Sequence, residues 1–244
     1  MTHFFSPKHD YWLIHQHLQR YYPLGLNPEE SVDVRAYPGY QELEARIVEH
    51  IHDDTVFQTH WGAFETELSA NTGFPVRGTT YGQAPCFSAV LELGATAGGK
   101  WRVEQELFFA VSLVGPFYTV LGRDQLVVPL DVPTIVRHTA FLTVSPFGAY
   151  ESVFTYVCAA IERQFAGYRF VPFMLATLPL SGLCLPSREG STQPLFYGLF
   201  NDQIDVHAST MGDRGHKHED WLRPAPLGGW GQWTVGPPSG STQL

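Results

Sequence analysis

Alternating apolar and polar side chains run through the middle of the chain and predict a group of antiparallel strands. In residues 101–113 almost every odd-numbered side chain is apolar, whereas Arg102, Glu104 and Glu106 stand on the other face. A period of two is typical of a half-buried antiparallel strand. Residues 87–93 alternate in the same way, and a third stretch, aromatic and β-branched, follows. Three neighbouring strands joined by glycine-bearing turns are therefore expected.

Apolar positions three or four residues apart predict helices that would cover this sheet. Such stripes occur in residues 11–18, 38–52 and 146–166. The third stripe has the clearest start in the chain, because Ser145 is a good N-cap and Pro146 suits the first helical position. We expect this long helix to lie across the sheet.

Three other segments complete the predicted framework. Residues 55–68 alternate with a change of phase at Gly62, which predicts a strand that carries a β-bulge. Residues 71–85 are rich in Gly, Thr and Pro and predict a long loop. Arg123 and Asp124 indicate a tight turn into a further strand.

These elements together predict an α+β fold. An antiparallel meander of about five or six strands is covered on one face by two or three helices. Residues 1–200 are expected to form this single domain, and residues 201–244 a polar and then Trp-, Gly- and Pro-rich C-terminal extension. Because a disordered tail rarely keeps bulky aromatic side chains, Trp221, Trp230 and Trp233 are expected to pack back on the domain.

Residues 94–100 match the G-x-x-x-x-G-K pattern of a phosphate-binding loop, but their neighbours predict a hairpin turn instead. A phosphate-binding loop needs a helix after the lysine and a Ser or Thr beside it to hold Mg²⁺. Trp101 follows Lys100 here, and the residues after it alternate as a strand does. A turn of small residues between two strands explains the glycines, so no nucleotide is expected at Lys100.

The acidic balance of the chain limits the classes of partner. The 244 residues include 24 acidic and 15 basic side chains, which give a formal net charge of −9. Nucleic acids and anionic membranes bind clustered Lys and Arg, so neither is expected as a partner. Another protein, one with a basic surface, is compatible with this charge. Aromatic residues make up 14% of the chain, and such side chains suit both sheet packing and contact with a partner protein.

Cysteine usage and the N-terminal sequence predict a cytoplasmic protein. Cys86, Cys158 and Cys184 are widely spaced, odd in number and form no C-x-x-C pair, which suits reduced, buried thiols. The first residues do not combine a basic region with a long apolar run, so no signal peptide is expected. The most apolar segment, residues 170–185, is interrupted by prolines and is too short to cross a bilayer.

Two groups of side chains could carry chemistry. His216, His218 and Asp220 stand close together in a polar segment, and zinc accepts imidazole and carboxylate ligands. The simpler interpretation is a solvated loop, so no metal or other cofactor is assigned. Glu104 and Glu106 form a carboxylate pair on one strand face that could do acid–base chemistry. Charged residues on the solvent side of a sheet explain that pair more simply.

The sequence contains no coherent catalytic set, and its charge and aromatic content favour binding. We therefore expect a non-enzymatic protein-binding protein that acts through an acidic, aromatic-rich surface. An immunity-type role, in which the protein neutralises a basic toxin, fits this profile. The residues expected to contact the partner are Asp53, Asp54, Glu104, Glu106 and Trp221.

The alternative is a small enzyme or ligand-binding domain with a pocket between the sheet and residues 170–185. This segment is expected to form a strand and then a packed loop. A deep cavity in which histidine and carboxylate side chains converge would favour this alternative.

Overall fold

Seven strands form the main sheet in a computed structural model of the protein, which describes residues 8–25, 33–99, 101–129, 135–190 and 192–223. The strands among these residues are β1 (Val76–Gly78), β2 (Cys86–Gly98), β3 (Trp101–Ser112), β4 (Phe117–Pro129), β5 (Ile135–Thr143), β6 (Arg169–Phe170), β7 (Pro179–Ser181), β8 (Thr192–Pro194) and β9 (Thr210–Met211). The order across the sheet is β1, β2, β3, β4, β5 and β9, and β6 also pairs with β4. Strands β1 to β5 pair with one another in antiparallel order. Strand β6 pairs in parallel with β4, and β9 pairs in parallel with β5. Strands β7 and β8 form a separate small antiparallel sheet.

Helices before and after the long strands complete an α+β fold with a mostly antiparallel sheet, which confirms the predicted fold class. The α-helices of the described residues are α1 (Trp12–Tyr21), α2 (Pro38–Ile47), α3 (Asp54–Phe57), α4 (Ala63–Thr72), α5 (Glu151–Gln164), α6 (Phe173–Ala176) and α7 (Leu195–Leu199). Short π-helical turns, Val48–His52 and Gln58–Gly62, follow α2 and α3. None of these helices combines the length and the apolar character that a bilayer crossing requires.

Aromatic side chains from α4 pack on one face of the sheet. Trp61, just before α4, stacks on Phe87 of β2 with ring centroids 5.3 Å apart, and Phe64 meets Phe109 of β3 edge-on. The opposite face is covered at one end only, where Ser112 donates a hydrogen bond to the carbonyl oxygen of Leu199 in α7 (2.6 Å). Both faces of that end of the sheet are therefore buried.

Residues 54–72 are helical, so the prediction of a bulged strand from residue 55 to residue 68 is wrong. The side chain of Asp53 accepts hydrogen bonds from the backbone N–H groups of Thr55 and Val56 and so caps α3. Phe57, Trp61, Phe64 and Leu68 are spaced by four, three and four residues and pack against the core as one helical stripe. The same apolar positions fit a period of two only if one residue is skipped at Gly62.

The helix predicted to begin at Pro146 begins later. A 3₁₀ turn, Gly148–Tyr150, precedes α5, and Gly148 has a left-handed φ of 58°. The hydroxyl oxygen of Ser145 accepts a hydrogen bond from the backbone N–H of Asp213 (2.9 Å) and does not cap a helix. The N-cap role predicted for Ser145 is therefore wrong, because a tertiary contact uses its side chain.

A hairpin occupies the segment that resembles a phosphate-binding loop. Gly98 of β2 pairs directly with Trp101 of β3, and Gly99 has a left-handed φ of 67°. The pairing of β2 with β3 shifts register between Glu92 and Gly94, which marks a β-bulge in β2. A strand, not a helix, follows the turn, as the alternation predicts. Lys100 itself lies outside the described residues.

Two sequence interpretations at the centre of the chain need correction. Arg123 and Asp124 lie inside β4, opposite Glu106 and Gln105 of β3, so the tight turn predicted there is wrong. The loop predicted over residues 71–85 contains a short strand, β1, which pairs with β2. Both errors have one cause. The secondary structure of these residues depends on hydrogen bonding to a distant strand, and the local sequence does not reveal that pairing.

The described part of the C-terminal segment packs on the rest of the protein. Ile204, Val206 and Trp221 are buried. The indole N–H of Trp221 donates a hydrogen bond to the carbonyl oxygen of Phe170 (2.8 Å). Trp221 thus packs back on the domain, whereas Trp230 and Trp233, together with the rest of residues 224–244, lie outside the described residues.

Candidate functional site

The four long strands continue beyond the helices, and there the sheet is exposed on both faces. Tyr150, immediately before α5, contacts β4 where the covered part of the sheet ends. Its ring lies against Gly122, and its hydroxyl donates a hydrogen bond to Asp124 (2.6 Å). Beyond this level only Val127 is buried among the side chains that the structure describes. We call residues 93–98, 101–105, 124–128 and 136–141 the distal half-sheet.

One face of the sheet carries a charged cavity of about 740 Å³ where the distal half-sheet begins, which we call the charged basin. The register explains how its side chains meet, because Glu92, Glu106 and Arg123 are direct neighbours across β2, β3 and β4. Arg77 reaches them from β1 and Arg137 from β5. The charged and amide side chains that line the basin are Arg77, Glu92, Glu104, Glu106, Arg123, Gln125 and Arg137.

Arg77 neutralises two carboxylates that face each other. Like charges directly opposite on neighbouring strands are destabilising. The Nε of Arg77 donates a hydrogen bond to Glu92, and its Nη2 donates one to Glu106, both at 2.8 Å. One guanidinium therefore bridges β2 and β3 at this point.

Glu106 lies at the base of the basin and is almost completely buried. Its second oxygen accepts hydrogen bonds from the Nη2 (2.6 Å) and the Nε (3.2 Å) of Arg123, whose side chain is also buried. Burying a charge is costly unless it is paired and hydrogen-bonded, and Glu106 is bound by two arginines. This carboxylate is thus a fixed structural anion below the cavity.

Glu104 is held by two further arginines near the rim. Arg102 donates a hydrogen bond to one of its oxygens (2.8 Å), and Arg137 donates one to the other. Burial alone would raise the pKa of Glu104, but the hydrogen bonds and charges of Arg102 and Arg137 outweigh burial, and the pKa is lowered. The carboxylate therefore stays ionised at neutral pH.

Arginines form the outer layer of the basin and glutamates form much of its inner layer. The side chains of Arg77, Arg102 and Arg137 are 50%, 48% and 47% exposed, against 17% for Glu104 and 5% for Glu106. Glu92, at 45%, is the exposed acid. A molecule that enters the basin therefore meets the exposed guanidinium groups of Arg77 and Arg137 and the exposed carboxylate of Glu92.

The other face of the distal half-sheet carries six apolar side chains beside the polar Gln105, Asp124 and His138. The register places Trp101, Val103, Leu126, Val128, Val136 and Phe141 on that side. Trp101, Val136 and Phe141 are about half exposed, and the Trp101 ring lies over Gly98 so closely that a Cβ there would clash with it. We call these six residues the apolar face. One half-sheet thus presents arginines on one side and large apolar side chains on the other.

The titratable side chains that line the basin are arginines and glutamates. Its described lining has no hydroxyl, thiol or imidazole group. Elsewhere, burial raises the pKa of the Cys86 and Cys158 thiols to about 12 each, so both are neutral and unreactive at neutral pH. The three carboxylates of the basin, Glu92, Glu104 and Glu106, are each hydrogen-bonded to arginine.

The structure separates the five residues that the sequence suggested as partner contacts. Glu104 and Glu106 meet in the charged basin, although neither forms its exposed surface. Asp53 and Asp54 are exposed at the start of α3 and do not line the basin. Trp221 is fully buried, so its place in a partner-contact surface needs correction.

His216, His218 and Asp220 do not converge on a shared point. His216 lies edge-on to Phe154 and Phe170, and burial lowers its pKa. The Nδ1 of His218 is hydrogen-bonded to the carbonyl oxygen of Gly215 (2.9 Å). Within the described ranges, no group of three or more His, Cys, Asp or Glu side chains is placed to hold a metal ion.

Sequence reasoning missed the arginines of the basin. Arg77 falls in a segment predicted as a loop, and Arg123 falls in a predicted turn. One signal was present, since Arg102, Glu104 and Glu106 put three charges on one face of a strand.

Comparisons of the chain with protein-family models, with curated proteins and with solved structures found no match.

Proposed function

We propose that this is a non-enzymatic binding protein and that its partner is another protein, which docks on the distal half-sheet and the adjoining charged basin. The observation that carries the proposal is that the sheet exposes three half-exposed arginines on one face and the large side chains of Trp101 and Phe141 on the other. Arginine and aromatic residues are enriched in protein interfaces and among the side chains that contribute most binding energy.

Binding suits the basin better than catalysis does. A general acid or base works best when its pKa lies near the operating pH. The pKa of Glu104 is lowered, and Glu106 is fixed by Arg77 and Arg123 beneath the surface. These carboxylates orient the guanidinium groups and leave part of each outer guanidinium open to solvent.

The expected partner offers carboxylate groups to the basin. The planar guanidinium of arginine matches a carboxylate in two-point geometry, and each outer arginine is about half exposed. The net charge of −9 would repel a strongly acidic protein at long range. The partner is therefore expected to be neutral or basic overall and to present a few acidic side chains at the contact.

Neutralisation of a basic toxin, the immunity-type role, is the form of binding that the net charge favours. Opposite overall charges accelerate the encounter of two proteins, whereas the local contacts decide how long the complex lasts. Higher ionic strength would slow association with such a toxin, because salt screens long-range attraction. A salt-independent association rate would count against this role while leaving protein binding intact.

Quantitative affinity capture from the native host tests the proposal. The bait is the full chain, either wild type or carrying Arg77→Gln and Arg137→Gln together. Arg163→Gln is a matched control, since Arg163 is a half-exposed arginine that pairs with Glu67 away from the basin (3.2 Å). A protein enriched by wild type and Arg163→Gln but at least roughly tenfold less by the basin variant supports the proposal. Equal enrichment by all three baits contradicts it.

A further inference from the structure

A second cavity, of about 130 Å³, lies between α2 and the chain segments around residues 81–85, 185–187 and 201–203. Four tyrosines contribute to its walls, and we call it the tyrosine cleft: Tyr22, Tyr40, Tyr81 and Tyr197. Of the segment 170–185, where a pocket was anticipated, it includes only Leu185. The cleft is separate from the charged basin, and no residue lines both cavities.

Two buried phenol groups at the cleft lack partners. Tyr22 and Tyr40 are 2% and 5% exposed, and their rings lie 6.1 Å apart. Neither hydroxyl forms a hydrogen bond with any described residue, yet neither is fully sealed from solvent. Burial raises the pKa of both hydroxyls, so they remain protonated and able to donate. A buried polar group normally has a hydrogen-bond partner, and a ligand in the cleft would supply one.

Side chains of opposite charge line the cleft. Arg35 lies near Tyr40, where its charge acts on the phenol, and it forms no ion pair with the described residues. Asp202 lies near Tyr197, whose ring also has the guanidinium of Arg188 over it, 4.0 Å from the centroid. A guanidinium and a carboxylate that line one small cavity match the carboxylate and the ammonium of a zwitterion.

The segment that carries Asp202 is held in place on both sides. The amide of Asn201 donates a hydrogen bond to Ser88 (3.4 Å), and its oxygen accepts one from the backbone N–H of Gln203 (3.1 Å). The side chain of Gln203 donates a hydrogen bond to the carbonyl oxygen of Thr79 (2.9 Å). A binding group on a fixed segment loses little freedom when a ligand arrives.

The body of the cleft is apolar and small. Its aliphatic lining residues are Leu43, Ile47, Ala84, Pro85, Leu185 and Pro186. Cavities for drug-sized ligands and cofactors measure roughly 300–1,000 Å³, so a nucleotide is too large for this one. The space suits a single apolar side chain.

We propose that the tyrosine cleft binds a free α-amino acid with an apolar side chain. Arg35 and the hydroxyls of Tyr22 and Tyr40 bind the carboxylate, Asp202 binds the ammonium group, and the apolar lining takes the side chain. The inference does not depend on the protein-binding function, because the two cavities share no residue.

Calorimetric titration of the full chain with three probes tests the inference. L-phenylalanine carries both charges, 3-phenylpropionate only the carboxylate and phenethylamine only the ammonium. We expect saturable binding of L-phenylalanine and at least roughly tenfold weaker binding of each one-charge analogue, because an unpaired charge then remains in the cleft. No saturable binding of L-phenylalanine, or an equal affinity for either analogue, overturns the inference.

Two variants of exposed residues assign the charges. Arg35→Gln should weaken the binding of 3-phenylpropionate more than that of phenethylamine, and Asp202→Asn should weaken the binding of phenethylamine more than that of 3-phenylpropionate, while Arg163→Gln leaves all three affinities unchanged. Unchanged affinities in both Arg35→Gln and Asp202→Asn would overturn the assigned roles. Because both side chains are exposed, the variants are expected to fold, and a circular dichroism spectrum like that of the wild type confirms it.

Discussion

The guanidinium of Arg123 donates two hydrogen bonds to a single carboxylate oxygen of Glu106, directly across β3 and β4, and both side chains are largely buried. This pair closes the base of the charged basin. It also marks the level at which the sheet changes from an apolar core to a charged surface, because the residues before Glu92 and after Glu106 on that face are buried and apolar or small.

Removing the charge of Glu106 should destabilise the protein strongly. In Glu106→Gln the buried guanidinium of Arg123 loses its counter-charge, and breaking one side of a buried pair typically costs about 3–5 kcal/mol. Urea unfolding of the variant and the wild type measures the free energy of unfolding. Glu67→Gln, which removes an exposed partner of Arg163, should cost no more than about 1 kcal/mol.

A double variant shows whether the loss comes from an unpaired charge. Replacing Arg123 by Met in the Glu106→Gln background removes the uncompensated guanidinium, so the double variant should be more stable than Glu106→Gln alone. Equal small losses in Glu106→Gln and Glu67→Gln would contradict the role of this pair.

Glu104 should stabilise the fold in a pH-dependent way. Its pKa is lowered in the folded state, so its contribution is complete above the ordinary glutamate pKa of about 4.3 and is lost as the pH falls through the folded-state value. The free energy of unfolding of Glu104→Gln should therefore lie below that of the wild type at about pH 6, and the difference should shrink towards about pH 3. A difference that does not change with pH would contradict the ion pairs with Arg102 and Arg137.

Trp221 should anchor the described C-terminal segment. Trp221→Phe removes the hydrogen bond to the buried carbonyl of Phe170 and should lower the free energy of unfolding by about 1–3 kcal/mol. Limited proteolysis should then cleave residues 201–223 faster. Trp101→Phe, at a half-exposed tryptophan, should change stability by no more than about 0.5 kcal/mol. Equal effects of the two substitutions would contradict the anchor.

Local patterns predicted much of the fold. The alternation after Trp101 identified β3, and the small residues before it identified the hairpin, because both signals depend on neighbours in sequence. The stripe that starts at Pro38 likewise identified α2. The prediction for residues 54–72 failed because aromatic side chains spaced by three and four residues also fit a strand when one residue is skipped. The strand would have buried Thr59 and Thr66 beside Trp61, but both threonines are exposed.

The charged basin could not be predicted in the same way. Arg77, Glu92, Glu106 and Arg123 lie on four strands and meet only because the register of those strands brings them together. Glu106 therefore looks like an ordinary solvent-facing residue in the sequence, although it is buried. The tyrosine cleft has the same origin, since α1, α2 and α7 bring its walls together from distant parts of the chain.

Site-specific photo-crosslinking tests partner docking on the distal half-sheet most directly. A photoreactive phenylalanine analogue replaces Trp101 in one variant and Phe147 in another. The two side chains are 47% and 51% exposed, and Phe147 lies outside the distal half-sheet. After irradiation in native host cells, we expect a protein adduct at position 101 that disappears when Arg77→Gln and Arg137→Gln are added, and none at position 147. An adduct at position 147 without one at position 101 would contradict docking on this surface.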